Sequence, residues 1–245
     1  MALGNTGSPG MDWHQPIDIY CERTGPAFWS EPVNAVSNAA FLVAAVFAWR
    51  KWSRAGGQDG SALALIVLVA VIGVGSFLFH TFANRWSLLA DVIPIQLFML
   101  GMFGIMLRRL LEWPLAVVAT GTAAFLACGL LAPRLAPALG LGEGAGAALG
   151  YGTGLVAMLA LGARAVAGLP SPRREAGLTL LAAAAVFAVS LTLRQLDLSV
   201  CNLLPLGTHF LWHVLNAVTL ALLLDATIRL GAARVANLAE GARSD

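Results

Sequence analysis

The sequence predicts an all-α protein that crosses a membrane seven times, and three observations predict it. Of its 245 residues, 58% are hydrophobic and only 11% charged, with a mean hydropathy of +0.78. Soluble domains carry a near-even apolar balance and roughly one-quarter charge, so a soluble fold could not hide this much apolar surface. Apolar stretches long enough to span recur at 32–47, 61–82, 86–107, 114–131, 145–166, 176–193 and 207–230, each near the length of about 20 residues that a crossing needs. The connections between them are short and carry breakers: Gly56 and Gly57 before the second stretch, Pro133 and Pro137 after the fourth, Pro170 and Pro172 before the sixth.

Residues 1–31 form a polar, acidic extension that lacks the apolar run of a signal peptide and is expected to be retained. Residues 32–230 form one seven-helix domain, and 231–245 a tail. The first stretch is the shortest and spans only if it continues to Trp52. In the fifth, Gly142, Gly146, Gly150 and Gly154 recur every four residues, a small-residue stripe predicted to serve helix packing. No repeat at a longer fixed period is present. Basic residues set the orientation. With the N-terminus outside, eleven of the fifteen Lys and Arg residues fall on the inner side, leaving Arg23, Arg85, Arg134 and Arg194 outside. The N-terminus is therefore expected to be extracytoplasmic and the C-terminus cytoplasmic. A net charge of +2 is too small to indicate a nucleic-acid partner. A composition led by Ala, Gly, Leu and Arg suits a GC-rich bacterial genome, and with it a multi-pass protein of a bacterial inner membrane.

Polar residues inside a membrane are costly, so those in the second, third and seventh helices are candidates for function. Three of the four histidines lie there: His80, His209 and His213. His209 and His213 are four apart and share one helix face. The second helix ends near His80, which brings that ring to the same depth, and Asp91 lies about 8 Å below the start of the third helix at roughly 1.5 Å per residue. Three imidazoles with an open fourth position make the ligand set of a catalytic zinc site, where zinc acidifies water for attack on a carbonyl. Asp91 is then the candidate acid or base. Ser76, one turn before His80, is either an oxyanion donor or a helix-packing residue that bonds a backbone carbonyl. A lone intramembrane His more often bonds between helices, and His-x-x-x-His alone is a weak signal; three converging with an Asp is harder to dismiss. The extension carries Asp12, Asp18, Glu22 and Glu31 against the single base Arg23, either a solvated acidic loop or a cluster suited to calcium. Asp197 is placed in the connection before the seventh helix, where it either orients a ligand histidine or caps. Cys21 and Cys201 both fall in outer extramembrane segments and are expected to form a disulfide over the site, free thiols being the alternative.

Together these residues resemble the alkaline ceramidases, part of a membrane hydrolase superfamily that includes the adiponectin receptors. The resemblance rests on Asp18-Ile19-Tyr20-Cys21-Glu22, then Glu31 with Asn34 and Ser37-Asn38, then Ser76-x-x-x-His80, Asp91 eleven residues on, and His209-x-x-x-His213. It implies zinc on His80, His209 and His213, proton transfer by Asp91, oxyanion assistance by Ser76, and hydrolysis of a ceramide or other N-acyl lipid to a fatty acid and an amine. It also implies calcium held by Asp18, the Tyr20 carbonyl, Glu22, Glu31 and Asn34. The pattern departs from the family there: the usual Asp-Trp-Cys-Glu is Asp-Ile-Tyr-Cys-Glu, and the stretch from Glu22 to Glu31 is shorter. Two other readings stand beside this one: a receptor-like membrane protein with a structural or weakly hydrolytic zinc, and a metal-free scaffold or transporter.

Overall fold

The computed structural model describes residues 12–142 and 145–244. Residues 1–11, where the expected extension begins, and Asp245 of the expected tail lie outside them. Seven helices are long and apolar enough to cross a membrane: α1 Pro32–Arg54, α2 Gly60–Phe82, α3 Arg85–Arg109, α4 Leu115–Ala138, α5 Ala145–Gly168, α6 Arg173–Val200 and α7 His209–Val235. No strand occurs among the described residues. The chain is an all-α, multi-pass membrane protein, as its hydropathy predicts.

The helix ends follow from local chemistry. Pro32 opens α1 at a position whose missing N–H would have no partner anyway, and the helix runs on to Arg54 with one interruption at Asn38. Asp59 caps α2 by accepting from the Ala62 N–H at 3.1 Å. Asn84 and Ser87 form a reciprocal capping box at the start of α3. The α2–α3 connection is so short that Ala83 adopts a left-handed φ of 42°. Its carbonyl accepts from the Ile17 N–H at 2.8 Å, and Pro16 bridges Asn84, so the extension is pinned to this turn.

α6 runs to Val200, beyond the predicted end near residue 193. The polar residues Arg194 and Asp197 do not stop it because both find partners in the fold, described below. In the bundle α1 packs on α2 and α7, α2 on α3, and α6 on both α5 and α7. α4 is peripheral, with no buried residue over Leu115–Leu131. The glycine stripe of α5 does pack: Cβ atoms at Gly146 and Gly150 would meet Pro133, and one at Gly154 would meet Met99, while Gly142 faces open space.

Candidate metal centre

His80 lies in the last turn of α2, and His209 and His213 in the first two turns of α7, at the end of the bundle that carries the extension. Their ring centroids stand 4.6 to 5.1 Å apart. All three are at most 2% exposed. One ring nitrogen from each lies within 4.8 Å of the others.

Neighbouring side chains decide which nitrogen carries the proton in His80 and His213. The Glu31 Oε2 lies 2.6 Å from His80 Nδ1. A carboxylate can only accept, so His80 Nδ1 carries the proton and Nε2 keeps its lone pair. Ser37 Oγ donates its only hydrogen to the Asn34 carbonyl at 2.8 Å and lies 2.7 Å from His213 Nδ1. It must therefore accept from that nitrogen, which leaves the His213 Nε2 lone pair free as well. His80 Nε2 and His209 Nδ1 are buried without a hydrogen-bond partner. Buried polar atoms are rarely left so. Lone pairs of this kind, converging from three rings, fit a zinc ion.

Asp91 stands beside Ser76 and His80, its Oδ1 buried and unpartnered. Two features of sequence bring α2 and α3 together there. Pro94 has no N–H, so the Ala90 carbonyl lacks its usual partner four residues on. Gly75 has no Cβ, and one placed there would lie 2.7 Å from the Ala90 carbonyl carbon. Ser76 and Asp91 are the next residues along each helix, beside this close approach of the two backbones.

The extension closes over the rings. Tyr20 stacks on His209 with centroids 3.6 Å apart. Burial raises its phenol above the ordinary range, so it is a neutral hydrogen-bonding group. Cys21 is disulfide-bonded to Cys201, with Cα atoms 5.3 Å apart. Asp197 belongs to the last turn of α6 rather than a loop. It accepts from the backbone N–H groups of Thr208, His209 and Cys21 at 2.6, 2.9 and 3.0 Å. It thus caps α7 and holds the extension, and no ligand ring touches it through a hydrogen bond. Gly207, at φ 63°, leaves room for this, since a Cβ there would lie 2.8 Å from the Cys21 Cβ.

A protein-family model described as Ceramidase matches residues 20–235. The chain belongs to the ceramidase family. No curated protein matches it. Membership supports lipid amidase-like hydrolysis, and the three histidines supply a site that could hold a metal.

Of the residues that the resemblance assigns to calcium, Glu22, Glu31 and the Tyr20 carbonyl bond to the protein itself. Asp18 is exposed, and among the described residues the only cluster of His, Cys, Asp and Glu close enough to share an ion is the histidine trio. Glu22 accepts from the Val33 and Asn34 N–H groups at 2.7 and 2.8 Å, capping α1 after its proline. The Tyr20 carbonyl accepts from the Arg23 N–H at 3.3 Å. Glu31 accepts from Arg23 Nε, His80 Nδ1 and Asn34 Nδ2. Burial alone would raise the Glu31 carboxyl, but the hydrogen bond from His80, then Arg23 and Asn34, hold it below the ordinary range. Asn34 Oδ1 is buried without a hydrogen-bond partner.

Sequence reasoning gave no role to Ser37, Arg23 or Arg194. Arg194 lies 5.6 Å from the ring centroids of both Tyr151 and Trp212, close to Tyr20 and Asp91. In the sequence Arg23 counts only as the single base of an acidic extension and Arg194 only as an outer-side basic residue.

Proposed function

We propose that this chain hydrolyses the amide bond of a ceramide-like N-acyl lipid at a zinc centre held by His80, His209 and His213. The observation that carries the reading is the convergence of three buried rings with free lone pairs beside Asp91 and Ser76. Zinc held there supplies Lewis acidity for the amide carbonyl and acidifies water. The residues of the chain do the rest. Glu31 and Ser37 keep the His80 and His213 rings in the tautomer that offers Nε2 inward. Asp91 takes the proton of the attacking water and delivers it to the amine nitrogen as the C–N bond breaks, which releases a fatty acid and an amine. The Ser76 hydroxyl donates to the carbonyl oxygen as charge gathers on it.

An apolar cavity opens immediately below. Ile72, Ile95 and Asn216 line its upper part, each one turn from Ser76, Asp91 and His213 respectively. It continues down α3 to Met106 and down α7 to Leu223, with about 810 Å³ of empty space including its open mouth. From Ile95 to Met106 is about 16 Å of helix, and nearly all of the lining is hydrocarbon, as an acyl chain requires.

The test is to measure zinc content and fatty-acid release from defined N-acyl sphingoid bases and other N-acyl amines on the same purified protein. About one zinc per chain is expected from the one donor set among the described residues, lost in His213→Ala together with hydrolysis. Zinc-loaded protein that cleaves no N-acyl lipid would return the receptor-like reading.

A further inference from the structure

The extension buries an arginine against Glu31, one of the carboxylates that the resemblance assigns to calcium. Arg23, Glu22 and Glu31 are 8%, 6% and 2% exposed. Each nitrogen of its guanidinium has an acceptor. Nε donates to Glu31 Oε1, Nη1 to the Gly25 carbonyl at 3.0 Å, and Nη2 to the His80 carbonyl at 3.0 Å. Glu31 in turn accepts from His80 Nδ1 through its other oxygen. Arg23 therefore touches His80 twice, at its backbone and through Glu31, without touching the inward-facing ring nitrogen.

We propose that Arg23 is the resident cation of this extension: its guanidinium takes the place of a divalent ion, and it is a positioning residue for His80. The inference rests on the zinc reading of the histidine trio, and it concerns what holds that trio in place. A buried Glu31 without a cation would be an uncompensated charge. Its carboxylate is held between Arg23 Nε and His80 Nδ1, so losing the guanidinium frees it to swing away and leaves the ring without its support. The planar guanidinium of Arg23, anchored on the Gly25 and His80 carbonyls, fixes that carboxylate beside the ring. A divalent ion at the same carboxylates would have to sit against that guanidinium and displace its hydrogen bonds, which like-charge repulsion opposes. The chain thus carries its own counter-charge, and the centre is independent of calcium.

Two arms on the purified full chain test this. In the first, wild type is stripped with a calcium-selective chelator and titrated with calcium; its melting temperature, calcium content and zinc affinity, read by competition with a chromophoric chelator, should not change. A stoichiometric calcium ion, or a melting temperature that climbs on calcium addition, overturns the proposal. In the second, Arg23→Gln should weaken zinc binding about 10- to 100-fold, the usual cost of losing a group behind a metal ligand, with partial recovery in Arg23→Lys. Methylguanidine should restore affinity to Arg23→Ala, which a merely space-filling arginine would not show. Unchanged zinc affinity in Arg23→Gln overturns the positioning role. Should Arg23 variants fail to fold, the calcium arm on wild type still decides. Should wild type bind no zinc, the zinc reading fails on its own, and calcium binding remains the measure of what Arg23 replaces.

Discussion

Asp91 is partly exposed, yet one oxygen of its carboxyl is buried and has no hydrogen-bond partner. An acid held like this, beside Ser76 and His80, is free to take a proton from water and give it up again. Asp91→Asn keeps the size and a carbonyl but cannot accept that proton, so hydrolysis should fall at least about a hundredfold while zinc stays bound. Loss of zinc in that variant would instead make Asp91 a support for His80. Ser76→Ala should be milder, because the Lewis acidity of zinc shares the charge on the carbonyl oxygen. Comparing hydrolysis and metal content across the two variants separates these roles. Both residues were legible in the sequence as polar groups in apolar helices, whereas Ser37 entered only as part of the family resemblance, with no role. Its importance comes from an accepted hydrogen bond to His213, 176 residues away.

The helices contribute by how closely they approach. α2 and α3 touch where Gly75 meets the Ala90 carbonyl, and this contact sets the spacing of Ser76 from Asp91. Gly75→Ala should push the two helices apart and reduce turnover severely, with a smaller effect on zinc content because α7 supplies two of the three ligands. Equal loss of both would mean that the substitution had unfolded the site as a whole. The cavity offers an independent test at this scale. Ala157 on α5 lines it, and Ala157→Phe should obstruct its lower part. Relative turnover should shift toward shorter acyl chains across a graded N-acyl series. A uniform drop at every chain length would place the acyl chain elsewhere. The stripe at Gly146, Gly150 and Gly154 was readable as packing from its spacing alone, but its partners, Pro133 and Met99, were not.

For the molecule as a whole, the excess of basic residues at one end of the bundle and the disulfide at the other argue for the same orientation, N-terminus outside and C-terminus inside. A fluorescent protein that matures only in the cytoplasm, fused after Asp245, should therefore fluoresce; a dark fusion made at normal levels would reverse the assignment. Thiol labelling of denatured, unreduced protein should mark Cys128 alone, since Cys21 and Cys201 are bonded. Labelling at all three would show that there is no bridge. By itself the order of residues determined the seven spans, the pairing of His209 with His213 on one face, and the candidacy of His80, Asp91 and Ser76. Hydropathy, helical period and the cost of polar groups in lipid are properties of a segment and its solvent. Only the tertiary structure decided which carboxylate meets which cation. The extension's acids read alike as loop charges or calcium ligands until Arg23 is seen reaching the carbonyl of His80, 57 residues on. An electrostatic partner is chosen by distance and burial in three dimensions, and neither is written in the spacing of residues along the chain.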